Sequence, residues 1–173
     1  MKKIKLPIII FAVIAFSAAC FKVERVSEIP SIEFISFEIF DSTDLHLQNN
    51  LKAGRLKFKF EDGDGDIGIN VQDTTEPANF KISLYRKING AMQPVTNSSD
   101  PLLPGSDYRI PVLKTIGQSK VLRGEIIISI LYQSYSPTDT IQYHFFITDR
   151  AGNISNIEET AEIIVAENGI YRK

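Results

Sequence analysis

The alternation of apolar and polar side chains is sharpest between Arg55 and Glu61. Leu56, Phe58 and Phe60 share one face of an extended segment, and Arg55, Lys57, Lys59 and Glu61 share the other. A period of two with one charged face predicts a half-buried strand of an antiparallel sheet. Ser31 to Phe40 begins on one parity, at Ile32 and Phe34, and continues on the other, at Ile35, Phe37 and Ile39. Such a switch predicts a β-bulge. Phe80, Ile82 and Leu84 alternate with Lys81, Ser83 and Tyr85, and Asn89-Gly90 then supplies a tight-turn pair. Tyr108 to Leu113 reads as a short edge strand, where Pro111 is tolerated because the open side of an edge needs no donor. Glu125 to Leu131 is nearly continuous in apolar residues and predicts a central strand. Thr140 to Thr148 sets Ile141, Tyr143, Phe145 and Ile147 inward, and Thr160 to Ala166 reads as the last strand.

The intervening stretches are polar. Asp41 to Asn50 reads as a loop with Leu45, His46 and Leu47 dipping inward, 97–105 as a loop broken by Pro101 and Pro104, and Arg150 to Asn156 as a turn. About seven strands without a helical pattern among them predict an all-β fold, an Ig-like antiparallel β-sandwich. The Cys and Trp landmarks of antibody domains are missing, since the chain has one Cys and no Trp. Tyr143 serves either as a tyrosine corner or as a plain core residue.

The N-terminus has a different pattern. Lys2, Lys3 and Lys5 precede an apolar run from Leu6 to Phe16 that ends in Ser17-Ala18-Ala19-Cys20. That order predicts a secretory signal peptide over 1–19, because the run is shorter than the roughly 20 residues a spanning helix needs. The single cysteine directly after the small residues resembles the lipobox of bacterial lipoproteins, with Ser17 standing where Leu is usual. Cys20 would then be the lipidated first residue of the mature chain, and membrane attachment would run through it. Ordinary secretion with an incidental thiol is the alternative. Residues 20–30 read as a flexible tether, 31–168 as the sandwich domain and 169–173 as a polar C-terminal tail. Loss of 1–19 removes three lysines and no acid, leaving 16 basic and 21 acidic residues and a formal charge of −5. A net acidic chain gives no electrostatic case for nucleic acid.

The candidate chemistry lies in Glu61-Asp62-Gly63-Asp64-Gly65-Asp66-Ile67-Gly68, directly after the clearest strand. Aspartates at every second position with glycines between them let a short backbone curl until carboxylate oxygens converge, as Ca²⁺ requires. Asp62, Asp64 and Asp66 are the candidate ligands, joined by Asp149 and Asn153 if the Arg150 turn lies at the same end of the sandwich. The competing reading is a solvated acidic turn satisfied by local backbone N–H groups. For Asp149-Arg150-Ala151-Gly152-Asn153 the turn role is the stronger. Gly63-x-Gly65-x-x-Gly68 matches dinucleotide-binding spacing, but the three carboxylates would repel a pyrophosphate and no helix follows. An EF-hand also fails, because Ile67 holds the glycine position and Asp73 the final glutamate position.

Catalytic patterns are not visible. His46 and His144 stand outside any nucleophile or zinc spacing, and no Gly-x-Ser-x-Gly elbow occurs. The chain therefore reads as a non-enzyme, a binding or structural module with a protein or glycan partner. An envelope hydrolase, or an accessory enzyme of glycan processing with a loop-built site, is the alternative. Tyr132 and Tyr135 flank a loop but make no stacking platform for sugar.

Phe58-x-Phe60-x-Asp62-Gly63-Asp64-Gly65-Asp66-Ile67-Gly68 and Phe146-Ile147-Thr148-Asp149-Arg150-Ala151-Gly152-Asn153, with the signal and Cys20, resemble uncharacterised Bacteroidetes lipoproteins that carry an Ig-like domain. The resemblance implies a cell-envelope location, lipid-anchored to the outer membrane, and no assigned activity. It also implies O-glycosylation at Asp41-Ser42-Thr43, Asp73-Thr74-Thr75 and Asp139-Thr140-Ile141.

Overall fold

The computed structural model describes residues 26–44, 48–73, 75–105, 108–113 and 120–173. The signal segment, Cys20, His46 and Thr74 lie outside the described residues. Nine strands are found among those described: β1 (Ser31–Thr43), β2 (Asn50–Asp62), β3 (Phe80–Ile88), β4 (Ala91–Pro94), β5 (Leu122–Tyr132), β6 (Thr140–Ile147), β7 (Glu158–Glu159), β8 (Ile163–Ile164) and β9 (Gly169–Tyr171). One sheet has the order β5-β2-β1-β9. The other runs β4-β3-β6-β7, with β8 also paired to β6. Every ladder is antiparallel, and the two inner faces pack as the predicted β-sandwich.

The inner faces follow from the period-two pattern. Phe37, Leu56 and Phe58 from the first sheet meet Phe80, Leu84, Tyr143 and Phe145 from the second, all nearly or fully excluded from water. Phe58 packs 5.7 Å from the Phe80 ring and 5.1 Å from that of Phe145, the spacings at which aromatic pairs add to plain burial. The bulge in β1 is where the parity switch put it. Phe34 pairs with Phe58 and Ser36 with Lys57, leaving Ile35 as the extra residue. On the outer face of the first sheet, Arg55–Glu38, Lys57–Glu125 and Arg123–Glu61 make cross-strand ion pairs.

Four expectations are corrected. Glu125 to Leu131 is no central strand, because β5 pairs with β2 alone and leaves Ile127 and Leu131 more than half exposed. An unbroken apolar run does not reveal which of its residues face outward. Tyr108 to Leu113 joins no ladder. Asn79 takes the Ile110 N–H at 2.8 Å and donates to its carbonyl, and Ile69 N–H also donates to that carbonyl, so side-chain and loop partners replace a strand. The expected last strand over Thr160 to Ala166 shrinks to the two residues of β8, with β7 just before it, and between them the Thr160 hydroxyl accepts the Tyr143 N–H at 3.0 Å and donates to the Ala161 carbonyl. Residues 169–173 are not a tail. β9 crosses to the first sheet, pairing Phe37 with Tyr171 and Ile39 with Gly169.

The described end of the tether is also engaged, since the Ser27 carbonyl accepts the Gly63 N–H at 2.8 Å and Pro30 is buried. The corner-like tyrosine is Tyr171, whose hydroxyl lies 3.0 Å from the carbonyls of Ile164 and Glu167. Tyr143 is a core residue with a specific task. Its hydroxyl donates to the Leu102 carbonyl at 2.9 Å and receives the Tyr132 hydroxyl at 2.9 Å, both side chains being fully buried. This pins the 97–105 loop to the core. Tyr143→Phe strands the Leu102 carbonyl and the Tyr132 hydroxyl together and should cost about 1–3 kcal/mol in denaturant unfolding. Tyr132→Phe leaves the bond to Leu102 intact and should cost less; equal losses would show that the loop does not depend on that bond.

Candidate metal centre

The site begins where β2 ends. Asp62 is the last residue of the strand, paired with Leu122, and is fully buried. Its Oδ2 accepts the N–H groups of Asp66 at 2.9 Å and Ile67 at 3.3 Å, which closes the loop on itself. Ile67 is the only apolar side chain between Glu61 and Gly68, and it is fully buried in the core. It holds the loop down from the far side. Gly65 and Gly68 have φ of +74° and +104°, a backbone region that disfavours side chains bearing a Cβ.

This folding leaves one oxygen of each aspartate over. Asp62 Oδ1, Asp64 Oδ1 and Asp66 Oδ1 are buried and have no hydrogen-bond partner among the described residues. The three side chains offer carboxylate oxygens that all lie within 4.8 Å of one another. Two oxygens bound to one Ca²⁺ at about 2.4 Å can stand at most about 4.8 Å apart, so the cluster has the span of a single coordination sphere. The donors are all oxygen, which suits Ca²⁺ and argues against the nitrogen and sulfur preference of Zn²⁺. Burial raises the Asp62 carboxyl above the usual carboxylate range, opposed by the Ile67 N–H and aided by repulsion from Asp64. Burial likewise raises Asp66, with Asp149 and Asp64 adding repulsion.

The Arg150 turn does lie at the same end. Ala151 N–H donates to Asp66 Oδ2 at 3.0 Å, Arg150 N–H to the Asp66 carbonyl at 3.4 Å, and Arg150 Nη1 to the Gly68 carbonyl at 3.4 Å. Asp149 and Asn153 are bonded to each other in that turn. Asp149 accepts the Asn153 N–H at 2.7 Å and its side-chain amide at 2.8 Å, and Gly152 between them has φ +90°. That is the turn geometry, and the acidic group that converges among the described residues is Asp62, Asp64 and Asp66.

The remaining candidates are structural. His144 stacks on Tyr85 with ring centroids 3.8 Å apart and lies 3.2 Å from the Gln142 amide oxygen; burial lowers its pKa. Tyr132 belongs to the core, so it and Tyr135 form no exposed pair. A cleft of about 520 Å³ beside the acidic loop is lined by Ile69, Glu76, Lys81, Thr148, Asp149 and Arg150 among others, without His, Cys or Ser. Sequence reasoning missed the dependence of the site on Ile67 and Ser27. The lone aliphatic residue inside an acidic loop was the available signal for the first, and nothing in the sequence signalled the second. Compared with protein-family models, curated proteins and solved structures, the chain matches none.

Because both carboxyls are raised, their contribution to stability without metal is fully present below the ordinary carboxylate pKa and is lost as pH rises through their raised values. Ca²⁺ needs them ionised. The difference between melting temperatures in Ca²⁺ and in chelator should therefore be widest near neutral pH and narrow on acidification, as the raised carboxyls take up protons. Asp64→Asn removes charge from the cluster, so it should melt no lower than wild type in chelator and lower than wild type in Ca²⁺. An equal loss in both media would make Asp64 a residue of the turn alone.

Proposed function

We propose that this protein is a lipid-anchored β-sandwich module of the cell envelope, a binding or structural domain whose loop end is stabilised by Ca²⁺. The observation that carries the metal reading is the convergence of the Asp62, Asp64 and Asp66 carboxylates at the end of β2, each of which keeps one buried oxygen without a hydrogen bond among the described residues. A buried charged oxygen with no partner is costly, and a divalent cation supplies the partner. Exported modules need only weak Ca²⁺ sites, because extracellular modules bind it in the range of about 10⁻⁴ to 10⁻³ M. The location rests on the basic, apolar, small-residue order of 1–19 and on Cys20 directly after it. With its only cysteine lipidated the chain has no disulfide, and a cation at the loop end would do part of the work a cross-link does elsewhere.

Thermal melts of the full chain in detergent, first in EDTA and then with Ca²⁺ titrated to millimolar levels, test the metal. A ligand that binds only the folded state raises the transition by mass action, about 2.7 kcal/mol at one hundred times its Kd. A saturable rise is expected, and no shift across that range refutes the Ca²⁺ site. Cys20→Ser should abolish incorporation of labelled fatty acid and release the chain from membranes; undiminished labelling would remove the anchor from the proposal.

A further inference from the structure

The acidic loop is also the joint where segments outside the sheets meet the domain. Gly63 N–H donates to the Ser27 carbonyl at 2.8 Å. A Cβ on Gly63 would stand 2.5 Å from the carbonyl oxygens of both Val26 and Ser27, so the N-terminal segment crosses the loop in direct contact with its backbone. Gly65 seats in the same way against the Lys120 carbonyl, and Gly68 against that of Pro111. The glycines between the aspartates thus do more than bend the chain. Each makes room for a carbonyl oxygen.

The electrostatic result is one-sided. Four backbone carbonyls bring the negative ends of their dipoles to a loop that already holds the three carboxylates of Asp62, Asp64 and Asp66. Arg150 is the cation that bears on this group, acting on Asp66, and its guanidinium is directed to the Gly68 carbonyl. Ionised and without a metal, the carboxylates repel one another, and a loop pushed apart in this way holds less firmly the segment bonded to it through the Ser27 carbonyl and the Gly63 N–H. A cation reverses the sign, since it attracts carboxylates and carbonyl dipoles alike and Ca²⁺ accepts both as ligands.

We propose that Ca²⁺ at Asp62, Asp64 and Asp66 clamps the N-terminal segment at Val26–Ser27 onto the sandwich, so that occupancy of the loop sets how firmly the domain is held to the chain before residue 26. The inference rests on the reading of the cluster as a Ca²⁺ site. Coupling of this kind is reciprocal, so docking of the segment raises affinity for the ion as much as the ion secures the segment.

Glu28 is exposed and lies within the docked segment, and Glu167 is exposed on a turn between β8 and β9. A glutamyl endopeptidase can cut after Glu28 only when the residues around it leave the surface. In the fast-opening regime its rate follows the population of that open form. The full chain in detergent is digested in EDTA and in saturating Ca²⁺, with binding of the ion measured separately by calorimetric titration. Ca²⁺ should slow cleavage after Glu28 about tenfold, within the usual range of coupling between sites, and leave cleavage after Glu167 unchanged. If the ion binds and both sites are cut at their former rates, the clamp is refuted and the metal site stands. Should both sites slow together, the effect is global stabilisation and the clamp is again refuted. Absence of Ca²⁺ binding in the titration removes the metal reading, and the clamp with it.

Discussion

A carboxylate buried at the end of a strand is the constraint around which this domain is arranged. Asp62 lies at the last rung of β2, opposite Leu122, with no exposed surface. Its two oxygens have different fates. One gathers the Asp66 and Ile67 N–H groups and so builds the turn; the other is buried with no donor among the described residues. A group in that position costs stability unless it is protonated or joined to a cation. The cost is tolerable only because the turn is held from both sides, by Ile67 in the core and by Ala151 N–H at Asp66.

The opposite end of the sandwich solves its polar problem without a ligand. Lys52 is nearly buried and would be costly alone, but its ammonium meets Asp41 at 2.6 Å and Asn168 at 2.7 Å, and Asn168 donates in turn to Asp41. The Lys52 contact, followed by the Asn168 bond, lowers the Asp41 carboxyl below its ordinary range. Both ends therefore gather charge beside the core, but at the acidic loop three carboxylates face the Arg150 guanidinium, which bonds the Gly68 carbonyl. That contrast, within one domain, is what the proposed cation at the acidic loop would remove.

Much of the fold was legible because its inner faces obey period two. Phe58 and Phe60, Phe80 and Leu84, and Tyr143 and Phe145 were read inward and lie inward, and the parity switch at Ile35 marked the bulge. The strands that failed are those whose sequence does not carry their partners. β5 has apolar residues on both faces, so its edge position was invisible, and β9 is a three-residue strand whose sequence reads as a polar tail. Tyr108 to Leu113 has strand-like residues, but Asn79 satisfies its backbone instead, and no local rule foretells a side chain 31 positions away. For the site, the residue types and spacing identified Asp62, Asp64 and Asp66. Asp149 and Asn153 were placed at the correct end, and only the coordinates show that they satisfy each other.

The turn and the proposed metal site make demands on different oxygens of the same loop. A turn stabilised by its own aspartates would need those oxygens for backbone N–H groups, and a metal site would need them free. Asp62 and Asp66 each divide the work between their two oxygens, Oδ2 accepting N–H groups and Oδ1 left without a hydrogen bond among the described residues. The turn therefore preorganises the cluster: the backbone bonds that fix the loop also fix where three charges meet, before any ion arrives. Preorganisation lowers the ordering cost of binding, and it also means that repulsion is built in and cannot relax away while the turn is intact. The loop can settle that repulsion by taking up protons, which the raised carboxyls favour at low pH, or by taking up a cation. On the proposed Ca²⁺ reading, the cation takes the place of the protons as they leave the carboxyls.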